Sequence, residues 1–559
     1  MSDLTQDIRY AFRGLRHAPA FAAAAVITLA LGIGATTAIF SVVNAVILRP
    51  LPYPEPERLV MVWMDNRRTG LREDIHSWPN LSDLRAQNRS FAQLAAYGQG
   101  GFNITGGCAE NACEPQRVTA AFSTANLFSV LGVTPMLGRP YTAEEEEPGR
   151  DAVIVISNGL WMRQFGGDPS AIGRTVRVNG RERTVIGVMP RGFAYPTPTT
   201  DAWVPLALQP EQREARSSFS LHAIGRLAPG VSLERARTDM ATIAARLEQQ
   251  YPTNRELGTH LVALPEQIVG KSLRTTLWVM LGAVAAVLLI ATANVANLML
   301  ARAAVREREV SVRLALGATR NRLVRQLLTE SVLLAGLGAV LGVLLAWVGL
   351  RLLIGLAPDD IPRLDEVRID ALVLGVGLAA ALLTGLTFGI VPALSASRPN
   401  LSESLREGGR AGTAGRKGNR MRRVLVGAQV VLVVVLLTGA GLLIRSFIEL
   451  QRVDLGFRPD NLLTARVSLP QARYQEPPQR LAFFESLLDR LRAIPGVTSV
   501  GAISDIFLDA LPNSTNFSIE GREFTPEEAG IEVPLDVVSA DYFRTMGIPL
   551  TRGRSFSAQ

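Results

Sequence analysis

Cysteine and histidine are scarce, with two and four residues in a chain of 559. A large metal centre draws on those residue types, so none is expected. Aromatic residues amount to 6% and form no spaced run on which bases could stack. That argues against nucleic acid, despite a net charge of +8 and a pI near 9.9. No Ser/His/Asp or Cys/His set and no carboxylate pair stands out, so catalytic residues are not expected. A phosphate-binding loop is lacking too. Val269-Gly270-Lys271-Ser272 contains a Gly-Lys-Ser. The motif also needs a glycine five residues before Gly270, where backbone amides cradle phosphate. Pro265 stands there, with no amide hydrogen and a fixed φ. No cofactor is expected.

Apolar residues are plentiful instead: 48% of the chain, with mean hydropathy +0.19 beside 19% charge. That mixture fits membrane spans joined to a hydrophilic domain. Apolar runs occupy 21–48, 275–300, 327–355, 371–396 and 424–444, and about 20 apolar residues suffice to cross a bilayer. The first is far longer than the apolar core of a secretory signal, so it reads as a retained span. Residues 1–20 place Leu4, Ile8, Phe12 and Leu15 on one helical face, with Arg9, Arg13 and Arg16 elsewhere. This predicts an amphipathic helix on the inner membrane surface.

Arginine decides the orientation. Basic residues crowd residues 301–326 and the Gly-rich stretch 397–423, whereas 356–370 carries Asp359, Asp360, Asp365, Glu366 and Asp370. Basic loops stay inside. The chain therefore reads as a multi-pass protein of the cell inner (plasma) membrane with a cytoplasmic N-terminus. Residues 49–274 and 445–559 fall outside.

Residues 49–274 contain no apolar run long enough to cross. Strand patterns appear at Leu59–Met64, Ala152–Ile156, Arg174–Val178, Thr184–Val188 and Ala202–Leu206. Helical patterns cover Thr124–Leu131, Asn158–Phe165 and Ser232–Gln250. In the last, Leu233, Ala236, Met240, Ile243 and Leu247 share a face expected to be core. The order predicts an α+β extracytoplasmic domain of up to two lobes beside an α-helical transmembrane bundle. The Glu144–Glu147 run reads as a solvated loop. Cys108 and Cys113 enclose four residues; a disulfide is favoured over two free thiols or a metal pair, since an oxidising compartment permits it.

The stretch Glu307–Glu330 is unusual for a loop. It carries Arg308, Arg313, Arg320, Arg322 and Arg325, yet keeps Val310, Val312, Leu314 and Leu316, and breaks at Gly317. A polar loop that keeps apolar residues either docks on a soluble partner or lies on anionic lipid; both readings stand on sequence physics. Asn294 and Asn297 suit helix–helix hydrogen bonds better than substrate contact. Gly336, Gly338 and Gly342 suggest a close-packing face, with no strand before them to make a dinucleotide fingerprint.

An internal repeat is visible at a constant offset of 415 residues. Phe128, Gly132, Gly138, Arg139 and Tyr141 match Phe543, Gly547, Gly553, Arg554 and Phe556. The fold class is thus an internally duplicated membrane protein whose second copy is incomplete. Carrying the offset forward predicts a chain about 250 residues longer, with a second segment like Glu307–Glu330.

EREVSVRLALGATRNRLVRQLLTES followed by AGLGAVLG resembles the FtsX-like permease domain of the MacB class of ABC transporter permeases. ANLFSVLGVTPMLGRPYTAEE, VIVISNGLWMRQFGGDPSAIGRTVRVNG and TVIGVMP resemble the MacB-type periplasmic core domain. The resemblance extends over nearly the whole chain. It implies a permease subunit, not an enzyme, that carries ATP-driven motion of a separate ATPase to an extracytoplasmic domain for export or efflux. It also places the ATPase contact in this segment, at Glu307, Arg308, Glu309, Arg313, Leu314 and Gly317. An adaptor or outer-membrane component is a further partner of such systems. The rival is an FtsX-like regulator of an extracytoplasmic hydrolase; an outer domain of this size favours the MacB type.

Overall fold

The computed structural model describes residues 9–13, 15–106, 115–305, 320–356, 363–396, 415–467, 469, 474, 476–504, 514–516, 520–521 and 532–557. They form two compact units, residues 1–51 with 266–451 and residues 52–265 with 452–559.

Residues 9–13 and 15–16 are helical. Ala11 and Leu15 are buried while Phe12 is 55% exposed. Leu15 of the expected face is thus packed, and Leu4 and Ile8 lie outside the described residues. Helix α1 (Pro19–Val43) starts on a proline, which suits a first turn whose amide has no partner anyway. It ends in one π-helical turn, Asn44–Leu48.

The second unit holds strands β1 (Leu59–Asn66), β2 (Leu71–Asp74), β3 (His76–Ser77), β4 (Phe91–Thr105), β5 (Gln116–Ser123), β6 (Leu137–Gly138), β7 (Val153–Ile156), β8 (Thr175–Val178), β9 (Arg181–Val188), β10 (Thr200–Pro205), β11 (Phe219–Leu227) and β12 (Leu257–Ala263). They form one sheet in the order β12-β1-β11-β4-β5-β10-β7-β9-β6, with β2, β3 and β8 attached at its sides. Pairs are antiparallel except β5–β10 and β7–β9. Helices α2 (Trp78–Gln87), α3 (Leu127–Leu131), α4 (Asn158–Phe165), α5 (Pro210–Glu214) and α6 (Leu233–Gln250) complete this core domain. One sheet carries two apolar cores, one around Leu81, Leu94, Leu221 and Met240 and the other around Ile154, Trp161, Val185 and Val204. The expected two lobes are these two cores on a continuous sheet.

Helix α6 follows its sequence signals closely. The Ser232 hydroxyl accepts the Arg235 amide at 3.2 Å and caps the helix. Ala236, Met240, Ile243 and Leu247 are buried, and Leu233 packs on the core from its edge. Strand β4 does not look like a strand in sequence, because Gly98, Gly100 and Gly101 interrupt it. Its glycines make room for neighbours: a Cβ at Gly98 would overlap the Phe122 ring, and one at Gly101 would meet the Arg117 guanidinium at 2.5 Å.

After α7 (Leu264–Val269) come the long helices α8 (Lys271–Val305), α9 (Arg320–Leu356), α10 (Ala371–Ala396) and α11 (Gly415–Gln451). Four described stretches are long and apolar enough to cross a membrane: Pro19–Leu48, Lys271–Arg302, Val324–Leu356 and Arg423–Gln451. Helix α10 has 26 residues, about 39 Å at 1.5 Å each, with a described apolar stretch at Ala371–Thr387. Two apolar clusters hold the helices together. Leu29, Ile33, Val295, Met299 and Leu334 form one. Val43, Val46, Leu277, Leu350 and Val367 form the other. Residues beyond 451 include α12 (Pro477–Arg492), the strand pair β13 (Ser514–Asn516) and β14 (Glu532–Pro534), and α13 (Tyr542–Met546).

Candidate functional site

The membrane helices are organised on α1, and glycines set the spacing. A Cβ added at Gly34 of α1 would lie 2.8 Å from the Gly342 carbonyl of α9. One at Gly342 would lie 3.0 Å from the Ala30 carbonyl, and one at Gly338 would lie 2.7 Å from Leu29 Cβ. Only hydrogen fits, so the two backbones touch. Gly336 faces open space instead. The expected three-glycine face is thus a two-glycine seam, because 3.6 residues per turn rotate Gly336 away from α1. Gly32 brings α1 against Leu288 and Ala291 of α8, and Gly377 of α10 lies against Thr37.

Polar ties join the same helices. Arg302 of α8 and Glu330 of α9 form an ion pair at 2.6 Å, with side chains 14% and 7% exposed. The Arg302 guanidinium lies 4.7 Å from the centre of the Phe21 ring. A paired charge in an apolar bundle is expensive to separate, so the pair fixes α8 to α9 at that level. These helices flank, in sequence, the segment that contains Glu307, Arg308, Glu309, Arg313, Leu314 and Gly317. Those six residues lie outside the described residues, as do Cys108 and Cys113. Asn294 Oδ1 accepts from Gln429 Nε2 at 2.6 Å and so links α8 to α11. Asn297 Oδ1 is buried without a partner. The Arg302–Glu330 tie was not foreseen, although an ionisable residue inside an apolar run such as Glu330 is itself a signal.

Some titratable groups of the core domain are buried without a charged partner. The Tyr97 and Tyr195 hydroxyls lie 3.8 and 3.4 Å from Met61 Sδ. Tyr97 stacks on His222, which Trp63 meets edge-on. Burial pushes the Tyr97 phenol up to about 12 and raises Tyr195 as well. Burial likewise lowers His222 and takes His76 down to about 4, although its Nε2 bonds the Val62 carbonyl at 2.9 Å. In each case burial disfavours the charged form. Among the described residues, no three His, Cys, Asp or Glu gather where a metal ion could be held.

The glutamate run is solvated at Glu144 and Glu147, as expected, but is more ordered than a plain loop. Glu144–Glu146 belong to a 3-10 turn, and Glu145 both pairs with Arg139 at 2.7 Å and accepts the Thr142 amide. Glu146 accepts the Ala125 amide at 2.6 Å, and Glu147 pairs with Arg213 at 3.0 Å. The partners of Glu146 and Glu147 are distant in sequence, which local composition does not reveal, whereas those of Glu145 lie three and six residues away.

Set against known proteins, residues 22–243 match the MacB-like periplasmic core domain and residues 281–401 match the FtsX-like permease C-terminal domain. The macrolide export ATP-binding/permease protein MacB of Chromobacterium violaceum is 26% identical over 283 residues, which is 50% of this chain and 42% of that protein. The pyoverdine export ATP-binding/permease protein PvdT of Pseudomonas entomophila is 28% identical over 276 residues, 48% of this chain and 40% of that one. The matches thus span less than half the length of these relatives. Among solved structures, the periplasmic region of MacB from Actinobacillus actinomycetemcomitans aligns with 38% of this chain and 90% of its own, at 13% identity and a TM-score of 0.27.

Proposed function

Since this chain belongs to the MacB/FtsX-like permeases of ABC transporters, we propose that it carries ATP-driven motion of a separate ATPase through its membrane helices to its core domain, for export or efflux. The observation that carries this reading is the glycine seam between α1 and α9. Helix α9 follows the segment at 306–319, and α1 leads into the core domain. Backbones in contact along Gly34, Gly338 and Gly342 make the two helices move together. The Arg302–Glu330 pair adds α8 to the same body.

The finer assignments follow from this reading. Glu307, Arg308, Glu309, Arg313, Leu314 and Gly317 would meet the ATPase, which binds the ATP. The N-terminus and residues 397–423 would lie in the cytoplasm and residues 52–265 outside, in a multi-pass inner-membrane protein. Cys108 and Cys113 would form a disulfide, and an adaptor or outer-membrane component would receive the cargo. The repeat reading is supported by matching backbone: α3 and α13 each end on a left-handed glycine, Gly132 at φ 71° and Gly547 at φ 66°. In each, the next residue's amide returns to a phenylalanine carbonyl, Val133 to Phe128 and Ile548 to Phe543. A photo-crosslinker at Arg313 tests the central claim. It should capture the ABC ATPase that copurifies with the chain; crosslinks to lipid alone would refute the docking.

A further inference from the structure

Where α1 ends, its outgoing strand of chain is held by a knot of polar bonds. Arg363 donates from Nη1 to the Arg49 carbonyl at 2.7 Å and from Nη2 to the Pro50 carbonyl at 3.3 Å. Its Nε and Nη2 also bond the two Glu366 carboxylate oxygens at 3.0 and 2.9 Å. Glu366 lies 3.7 Å from the Arg49 guanidinium in turn. The Arg363 side chain is only 9% exposed, and its backbone takes the left-handed φ of 63°, which non-glycine residues avoid. A second tie lies beside it. Asn44, first residue of the π turn, donates to Asp370 Oδ2 at 3.3 Å, while Asp370 Oδ1 accepts the Val373 amide and caps α10. Val43, Val46, Leu350, Val367 and Leu364 pack together in one apolar cluster of the same unit.

We propose that residues 363–370 form a latch that grips the chain as it leaves α1, and that Arg363 passes movement of the bundle into the core domain. This rests on reading the chain as a transmitter of motion. A planar guanidinium with five donors can hold two carbonyls and a carboxylate at once; an ammonium cannot reproduce that fork. The held carbonyls belong to Arg49 and Pro50, and the core domain begins two residues later, at Pro52. Pro50, Pro52, Pro54 and Pro56 alternate through this link, and proline fixes φ. A stiff link gripped at its root transmits displacement, whereas a loose one absorbs it. The π turn at Asn44–Leu48 belongs to the same device, since such turns reposition a helix end where function needs it.

The test uses the full chain with its copurified ATPase in nanodiscs, comparing amide hydrogen exchange without nucleotide and with ATP plus vanadate. In the wild type, exchange should differ between the two states in both units. Arg363→Ala should lose the difference in residues 52–265 while keeping it in α8 and α9 and keeping the rate of ATP hydrolysis. Arg363→Lys should lose part of it, and so should Glu366→Gln, which leaves the two carbonyl bonds in place and guards against a misfolded alanine variant. An undiminished difference in the core domain of Arg363→Ala overturns the latch and leaves the transmitter reading intact. Loss of the difference in both units, with loss of hydrolysis, overturns it too, since Arg363 would then be merely structural. No difference anywhere in the wild type removes the transmitter reading and the latch together.

Discussion

The bulkiest fully buried side chains, Trp203 and Phe128, belong to the core domain. In the membrane helices the tightest places hold no side chain at all: Gly34 against Gly342, and Gly338 against Leu29. Charge shows no such division: the core domain buries His76, Tyr97 and Tyr195 uncharged but also holds Arg183 and Asp151 as a pair with side chains 11% and 16% exposed, as the helices hold Arg302 and Glu330. Solvent accounts for the contrast. In water, burying apolar area is worth about 25 cal/mol per Å², so bulk in the interior stabilises. Lipid is as apolar as leucine, so helices associate through close contact and polar ties instead. Removing a large buried side chain should therefore damage the core domain most, whereas the membrane helices should be damaged most by a methyl added at the seam.

The largest expected effect is Trp203→Ala. The indole packs on Phe193 and Phe128, with ring centroids 5.1 and 6.2 Å away, and donates to the Tyr195 carbonyl at 2.7 Å. Its loss should cost about 3–5 kcal/mol in chemical unfolding of the core-domain transition. A loss below about 1 kcal/mol would mean that this interior collapses around the gap, and the contrast with the helices would fail.

Next comes acid sensitivity. Burial holds His76 at about 4, against 6.5 for a free histidine; His222 lowers it further, while the Val62 carbonyl and Asp74 oppose the shift. The unfolded chain takes up its proton first as pH falls, so stability is lost between about pH 6.5 and 4 and is fully present above that window. The shift corresponds to about 3 kcal/mol. His76→Asn should flatten that part of the stability curve. NMR titration of His76 near 6.5 in the intact chain would contradict the burial.

Smallest is the seam. Gly34→Ala should destabilise the helices by about 1–3 kcal/mol, because the new methyl meets a backbone carbonyl that cannot turn aside. Gly336→Ala is the control. It faces open space, so it should be neutral or gain up to about 1 kcal/mol of helix propensity. Equal thermal shifts for the two variants in detergent would show that α1 and α9 are not in backbone contact.

The apolar runs and the α6 face were legible in the amino-acid order, since each depends only on neighbours along the chain. So was Asn158–Phe165, bounded by Ser157 and Gly166. Strand β4 was not, because its glycines are chosen by Phe122 and Arg117 across the sheet. The partners of Glu146 and Glu147 escaped notice for the same reason. Hydropathy and length, which are sums over a segment, belong to the sequence alone. Which glycines of α9 touch α1, where Arg302 finds Glu330, and how Arg363 reaches the carbonyls of Arg49 and Pro50 were decided only by tertiary structure. Each is a contact between residues far apart in the chain, and nothing local specifies the rotation of one helix against another.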